Sequence, residues 1–388
     1  MENEIVTNIV NNLEKKLIEV RHNFHKHPEL SNEEFETTKT LRKLLNEAQI
    51  RVLNLPLETG LVAEITGDRE GPIIAIRGDI DALPILEETD LEYKSQIIGK
   101  MHACGHDFHA SVILGAAYLL KQQESTLAGT VRIIFQPAEE LGHGAEDVLA
   151  SGALSNVAAI FGLHSAPELE VGSFGTKVGA MTAAVDRFEI EIEGIGTHAS
   201  SPEKGIDPII VAAHIITSLQ TIVSRSVSTF DQVLISVTHI ESGNTWNVIP
   251  NKAYIEGTVR TVNAKMREFV PSKMRQIIKG VADSFGATAE LKWYSGPPAT
   301  NNTKDWTEVA LDVAQMQGYV IKKLPDTLIG EDFAFYQEKI PGAFVNIGTG
   351  VSYSLHHPQF KVDDAALLPA ANYFSELAKR ALVILKEK

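Results

Sequence analysis

Four short apolar runs constrain the fold most: Leu61 to Thr66, Ile73 to Arg77, Val131 to Gln136 and Ala158 to Leu163. Each is near-continuous rather than alternating, the pattern of strands buried on both faces of a sheet. Helical patterns separate several of them, which predicts a layered α/β domain. One predicted helix runs from His109 to Gln123. Another follows Ser31-Asn32-Glu33-Glu34, which has the form of a capping box, and carries a stripe of Phe35, Leu41, Leu44 and Leu45.

From about Gly179 to Pro297 the rhythm changes to β-α-β-β-α-β. The six elements are Val185 to Glu193, Asp207 to Val223, Val233 to Ser242, Lys252 to Val262, Ala264 to Phe285 and Thr288 to Tyr294. That order is the ferredoxin-like signature, with two helices on one face of an antiparallel sheet. Val178-Gly179-Ala180 and Ser295-Gly296-Pro297-Pro298 punctuate its ends. The chain is therefore expected to hold a discontinuous domain, 1–179 with 297–388, interrupted by an inserted α+β domain, 180–296. A length of 388 residues with 44% hydrophobic content supplies core for two domains.

Charge and cysteine usage exclude several functions. With 35 basic and 50 acidic residues, the formal charge of −15 repels a phosphate backbone, so no nucleic-acid partner is expected. No run approaches the roughly 20 apolar residues that span a bilayer, so no membrane partner is expected either. One cysteine forms no intrachain disulfide, and Met1-Glu2-Asn3-Glu4-Ile5 lacks the layout of a secretory signal, which together predict a cytoplasmic protein. The tripeptide Arg77-Gly78-Asp79 accordingly reads as the end of a buried strand, not as an adhesion motif.

The single cysteine, Cys104, lies in Met101-His102-Ala103-Cys104-Gly105-His106-Asp107-Phe108-His109. A solitary cysteine is ordinarily a small buried hydrophobe. Here three histidines and an aspartate crowd it, and Gly105 lets Cys104 and His106 face one ion. Other chemistry-bearing residues follow predicted strand ends: Asp79 and Asp81 after Ile73 to Arg77, Glu139 and Glu140 after Val131 to Gln136, and His164 at the close of Ala158 to Leu163. Ligands of open α/β sheets bind outside those ends. Leu355-His356-His357-Pro358 supplies a further segment. Adjacent Glu139 and Glu140 point differently, so one can bind metal while the other moves protons between water and a leaving amine. Their bland reading is an exposed acidic turn.

Arg77-Gly78-Asp79-Ile80-Asp81-Ala82-Leu83-Pro84, Met101 to His109, Phe135-Gln136-Pro137-Ala138-Glu139-Glu140 and Gly162-Leu163-His164 resemble the M20 metallopeptidases. The match is to the amidohydrolase branch of hippurate hydrolases, N-acetyldiaminopimelate deacetylases and indole-acetyl-amino acid hydrolases. It extends from His25-Lys26-His27-Pro28-Glu29 to Gly330-Glu331-Asp332-Phe333.

The resemblance implies a catalytic α/β domain and an inserted lid or dimerisation domain. It implies metal ligands Cys104, His106, Glu140, His164 and His356, with Glu139 as general acid and base. The wider family has a metal-binding histidine where Arg77 stands, a loss for which Cys104 is expected to compensate. His357 is a competing ligand to His356. The resemblance also implies His198, in Gly194-Ile195-Gly196-Thr197-His198-Ala199, as oxyanion stabiliser, and Asn247 and Arg260 as groups fixing the substrate's amino-acid portion. Arginine's planar fork suits a carboxylate, although a turn histidine and strand-edge hydrogen bonds are the plain alternatives for these three.

Asp79 and Asp107, with His109, are expected to orient ligands from behind. His22, His25 and His27 read as surface or structural. The expected activity is metal-dependent hydrolysis of N-acyl-amino acids to a carboxylic acid and an amino acid, using one or two divalent ions of zinc, manganese, cobalt or nickel. A homodimer through the inserted domain is expected. A dipeptidase would use the same centre but need a site for a free α-amino group. A noncatalytic metal-stabilised interaction protein would have no use for Glu139.

Overall fold

The computed structural model describes residues 12–325 and 327–387; the start Met1 to Ile5, where no export signal is read, lies outside them. The chain begins with helices α1 (Leu13–Lys26) and α2 (Phe35–Glu47), then strands β1 (Arg51–Val52), β2 (Leu61–Thr66) and β3 (Ile73–Asp79). Helix α3 (His106–Gln122), β4 (Thr130–Gln136), α4 (Gly144–Ala150), β5 (Val157–Ala166) and β6 (Ser173–Gly175) follow. Next come β7 (Ala184–Glu193), α5 (Pro208–Thr221), β8 (Val233–Ser242), β9 (Lys252–Thr261), α6 (Ala264–Phe285) and β10 (Thr288–Ser295). The remainder is α7 (Lys304–Met316), β11 (Val320–Ile321), α8 (Phe333–Gln337), β12 (Gly342–Gly348) and α9 (Leu367–Glu387).

Two compact units result. Residues 12–181, Asn301–Pro325 and 332–387 form one; Thr182–Thr300 and 327–331 form the other. The sequence places the crossings at 179 and 297. In the structure Gly179–Ala180 pairs antiparallel with Asn301–Asn302, so the ladder joining outgoing and returning chain stays with the first unit.

The first unit is built on an eight-stranded sheet of order β1-β2-β4-β3-β5-β12-β6-β11. Its centre, β4-β3-β5-β12, is parallel. Those strands are apolar on both sides because both faces are covered. On one face pack Leu17 and Phe24 of α1, most of α3, Trp306 of α7 and Phe374 of α9. On the other, Val62, Ala75 and Ile134 meet Val148 of α4 and Phe333 and Tyr336 of α8. Helix α3 is buried nearly all round, and its even apolar distribution is that of a central helix. It begins at His106, three residues before the start read from sequence, because Gly105 takes a left-handed φ of 87° and turns the chain into it.

The capping box at Ser31 does not form. The Glu34 N-cap makes no side-chain cap bond. The amides of Glu36 and Thr37 instead donate to the carboxylate of Glu29, at 3.1 and 2.8 Å, and Ser31 Oγ donates to Asp81. Phe35 is half exposed and lies off the buried stripe of Leu41, Leu44 and Leu45.

The second unit has the order β8-β9-β7-β10, antiparallel throughout. With α5 and α6 it is a ferredoxin-like fold, its core formed by Phe188, Ile190, Ile215, Leu219, Ile255 and Met274. The other sheet face carries charged ladders such as Arg187 with Glu189 and Glu256. One feature departs from expectation: Pro208–Ser226 is long and apolar enough by composition to cross a bilayer, with 28% of it buried. Polar His214, Thr217 and Ser218 interrupt it, so it shows no apolar run, yet its average hydropathy is high. Val211, Ala212, Ile215 and Leu219 face the core of this unit.

Candidate metal centre

The register of the parallel strands sets the site. Asp79, the last residue of β3, lies opposite Gln136, the last of β4, so Pro137 to Glu140 turn just beyond Asp79. His164 lies within β5, opposite Asn346 of β12. Gly105 holds Cys104 against this edge: a Cβ there would sit 2.6 Å from Ser165 Oγ.

Five side chains from four segments meet here. Ligand atoms of Cys104, His106 and His164 lie within 4.8 Å of one another, as do those of Cys104, Glu140 and His356. Cys104 Sγ is 3.4 Å from His164 Nε2. The His164 ring donates through Nδ1 to the Ser165 carbonyl at 2.8 Å, which leaves Nε2 with a lone pair turned to the thiol. His106 Nδ1 lies 3.1 Å from Asp81 Oδ1, and its Nε2 is 3.9 Å from Glu140 Oε1. His356 Nε2 is 3.3 Å from the same Glu140 oxygen. Glu139 shares a further group with His106 and Glu140, and its Oε1 accepts a long bond of 3.4 Å from the Asp332 amide.

These residues fit a divalent cation. Among the described residues, buried His106 Nε2 has no hydrogen-bond partner, and Glu140 Oε1 is approached by imidazole nitrogens at 3.3 and 3.9 Å, an arrangement that is costly unless a ligand satisfies them. Burial opposes charge on His106, yet Asp79, Asp81 and Cys104 outweigh it and raise its pKa well above the usual histidine range. Burial pushes the Cys104 thiol well up, and Glu140 adds to the shift. The surroundings thus favour positive charge at this point, and a cation there would draw the thiol to its thiolate form. Soft sulfur, imidazole and carboxylate together match zinc and its neighbours.

Behind the donors stands a charged layer. Burial opposes charge on Asp79, but Arg77, His106 and His109 hold its carboxyl well below the usual range. Arg77, wholly buried, donates to Asp79 at 2.6 Å, to Asp332 at 2.8 Å and through Nε to Gln136 at 2.7 Å. Asp332 also accepts from Gln136 Nε2 and from the Ala145 amide. His109 has both nitrogens committed, Nδ1 to Asp79 and Nε2 accepting from the Ser165 amide. Burial, opposed in part by Asp79, lowers its pKa to about 4. It therefore orients Asp79 and presents no donor atom to a cation.

Asp107 faces elsewhere: its carboxylate meets His25 Nδ1 at 2.9 Å and Arg21 Nε at 3.2 Å. It anchors the start of α3 to α1 and touches no ligand side chain directly. His25 is buried in that network, not on the surface, and also reaches Glu87.

His356 and His357 separate cleanly. His356 has a left-handed φ of 64°, and its amide donates to the Ala103 carbonyl at 2.8 Å, which binds its loop to the Cys104 segment. The reversal sends His357 away from the donors. There it stacks on Tyr353 at 4.3 Å between centroids and accepts the Gln359 amide.

The remaining expected site residues lie in the second unit. His198 is exposed on the ladder Thr197–His198 with Val248–Ile249. Its Nδ1 accepts from Ser200 Oγ and N, at 2.7 and 3.1 Å, so the neutral ring carries its proton on Nε2 as a donor. The Asn247 carbonyl accepts from the Ala199 amide. Arg260 is partly buried on β9, and that burial lowers its pKa.

Asp81, gathered with Asp79 at the strand end but given no role there, ties the centre together, with one oxygen on His106 and the other accepting the Glu140 amide at 3.0 Å. Its signal was present. Arg77, Asp79 and Asp81 alternate with apolar or small residues at the period that sends side chains to one side of a strand.

A thiol, imidazoles and paired carboxylates gathered beyond parallel strand ends define the class, a metal-dependent hydrolase with an inserted ferredoxin-like domain. Residues 75–380 match the model of peptidase family M20/M25/M40. The chain is 49% identical over 372 residues to an N-acetylcysteine deacetylase of Bacillus subtilis, covering 96% of this chain and 98% of that one. It is 38% identical to an IAA-amino acid hydrolase of Arabidopsis thaliana, covering 95% and 87%. The crystal structure of a Bacillus subtilis protein described as a dinuclear metal-binding peptidase of family M20 superposes with a TM-score of 0.88, at 46% identity, covering 96% and 99%. This chain belongs to the M20 family, in its amidohydrolase branch, and is a hydrolase of amide bonds.

Proposed function

We propose that the chain deacylates N-acyl-amino acids, with a preference for small acyl groups such as acetyl, at a centre of up to two divalent ions. The observation that carries this reading is the overlap of two donor triads. Cys104, His106 and His164 form one, Cys104, Glu140 and His356 the other, and Cys104, common to the two, would help hold an ion at either. Two relatives near half identity named as N-acetylcysteine deacetylases support the substrate class. Zinc, manganese, cobalt and nickel all suit the mixed donors.

Bound ions would supply Lewis acidity, activating a water and polarising the amide carbonyl. Glu139 accepts the proton of the attacking water and returns it to the departing nitrogen, a role this reading leaves to it by giving Glu140 to the metal. The family resemblance adds His198 as oxyanion donor, for which its Nε2–H is available, and Arg260 and Asn247 as groups for the amino acid's carboxylate. Asp79 and Asp81 fix the orientation of His106 and the Glu140 backbone.

A homodimer through the second unit is part of the proposal. Strand β8 has one unpaired edge, and apolar Ile209, Ile210 and Val223 are exposed along α5 and its C-terminal turn. The buried free thiol suits a reducing, cytoplasmic setting.

The test is a panel of N-acetyl-, N-benzoyl- and indole-acetyl-amino acids beside free dipeptides, with and without chelator. N-acetyl substrates should turn over fastest and chelator should abolish the rate. Preference for free dipeptides would replace this reading with a dipeptidase.

A further inference from the structure

The turn that presents Glu139 and Glu140 contains an unusual residue. Ala138 has φ 52° and ψ 39°, a left-handed conformation that a residue with a Cβ avoids unless its surroundings impose it. Glycine would adopt it freely, so something outside the turn must hold this alanine in place.

The holder comes from more than 100 positions away. Glu34, wholly buried at the N-cap of α2, accepts the Ala138 amide through Oε1 at 2.8 Å. A second tether runs through the same helix end. Thr38 Oγ1 donates to the Glu34 carbonyl at 2.6 Å and accepts the Gly60 amide at 2.7 Å. Gly60 in turn abuts Pro137 so closely that a Cβ there would lie 2.5 Å from Pro137 Cδ. Leu41, Leu44 and Leu45 root α2 in the core, so the anchor is rigid. On the far side of the turn the Glu140 amide is held by Asp81.

We infer that Glu34 is a positioning residue for hydrolysis: its buried carboxyl pins the Ala138 peptide and so fixes the divergence of Glu139 from Glu140. The inference rests on the reading of Glu139 as the proton carrier. Loss of the acceptor frees Ala138 to relax toward right-handed backbone, which rotates both carboxylates together and misplaces the proton transfer. Burial raises the pKa of the Glu34 carboxyl, so a neutral amide is a mild replacement that keeps the accepting oxygen.

The experiment compares Glu34→Ala, Glu34→Gln, Ala138→Gly and the double variant Glu34→Ala/Ala138→Gly, each loaded with metal and assayed on N-acetyl-amino acids. Retention of bound metal against a chelator is measured in parallel. Glu34→Ala should lower kcat by about 10–100-fold, the range for residues supporting a metal site, with KM changed by less than about threefold. Glu34→Gln should restore most of kcat. The double variant should recover at least about half of the loss on a logarithmic scale, because glycine needs no tether to hold the turn, and chelator resistance should follow the same order.

A merely structural role would not yield to Ala138→Gly. A kcat for Glu34→Ala within about twofold of wild type overturns the inference, and so does a double variant no better than Glu34→Ala. Should Glu34→Ala fail to fold, Glu34→Met removes the acceptor at similar volume, and the same two comparisons apply. Glu139→Ala run alongside separates the failures: if it stays active, the reading of Glu139 falls, and if it is inactive while Glu34→Ala is normal, only the brace falls.

Discussion

His356 reaches within 3.3 Å of Glu140 from a backbone bent to φ 64°, and the same bend turns His357 onto Tyr353. Two adjacent histidines thus have opposite surroundings. His356→Ala should weaken metal binding by at least about tenfold, since even residues behind a ligand cost that much, while His357→Ala should keep both metal and kcat within about threefold. Chelator competition on the purified variants distinguishes them, and equal effects would contradict the assignment.

Arg77 stands where the wider family places a histidine ligand, and its guanidinium is spent on Asp79, Gln136 and Asp332. Arg77→Met would leave two buried carboxylates without their counterion. Removing one partner of such a buried pair costs about 3–5 kcal/mol, so urea unfolding should show a loss of that size. A loss below about 1 kcal/mol would mean that the network is looser than the geometry indicates.

The Arg21–Asp107–His25 cluster predicts a pH effect. Burial opposes charge on His25, but Asp107 outweighs it and raises its pKa to about 9, against 6.5 for an unperturbed histidine. The folded state thus binds the proton more tightly than the unfolded state. This contribution is fully present below about pH 6.5 and is lost as pH rises through about 9. At full size it is on the order of 3 kcal/mol. His25→Asn should flatten the stability profile between those pH values; an unchanged slope would show that His25 does not carry it.

Cys104 belongs to both donor triads. Cys104→Ser should therefore weaken retention of both ions if two are bound, with the fold intact by circular dichroism. Loss of neither ion would remove the thiol from the ligand set.

Much of this was legible in the sequence, for identifiable reasons. The central strands announced themselves because burial on both faces forces continuous apolar runs, and Val233–Ser242 and Ala264–Phe285 of the inserted unit match their expected bounds. Glu140 and His164 could be brought to one edge because their motifs close predicted strands, whereas the full set of Cys104, His106, Glu140, His164 and His356 came with the family resemblance. What stayed hidden was the support. Ser31 and Glu34 fit a capping box by local spacing, yet tertiary partners, Asp81 for one and Ala138 for the other, claim their side chains. Asp107 adjoins a ligand in sequence but points to α1, because helix periodicity sends neighbours to different faces. The separation of His356 from His357 depends on one backbone dihedral that no spacing rule supplies.

The most direct test of the account is the rate of N-acetyl-L-cysteine hydrolysis by Glu139→Gln, with bound metal quantified in the same sample. The account predicts a loss of about 10²–10⁴-fold in kcat, the usual worth of a positioned acid and base, with metal content equal to wild type. A variant that retains both metal and a kcat within a few fold of wild type would contradict it.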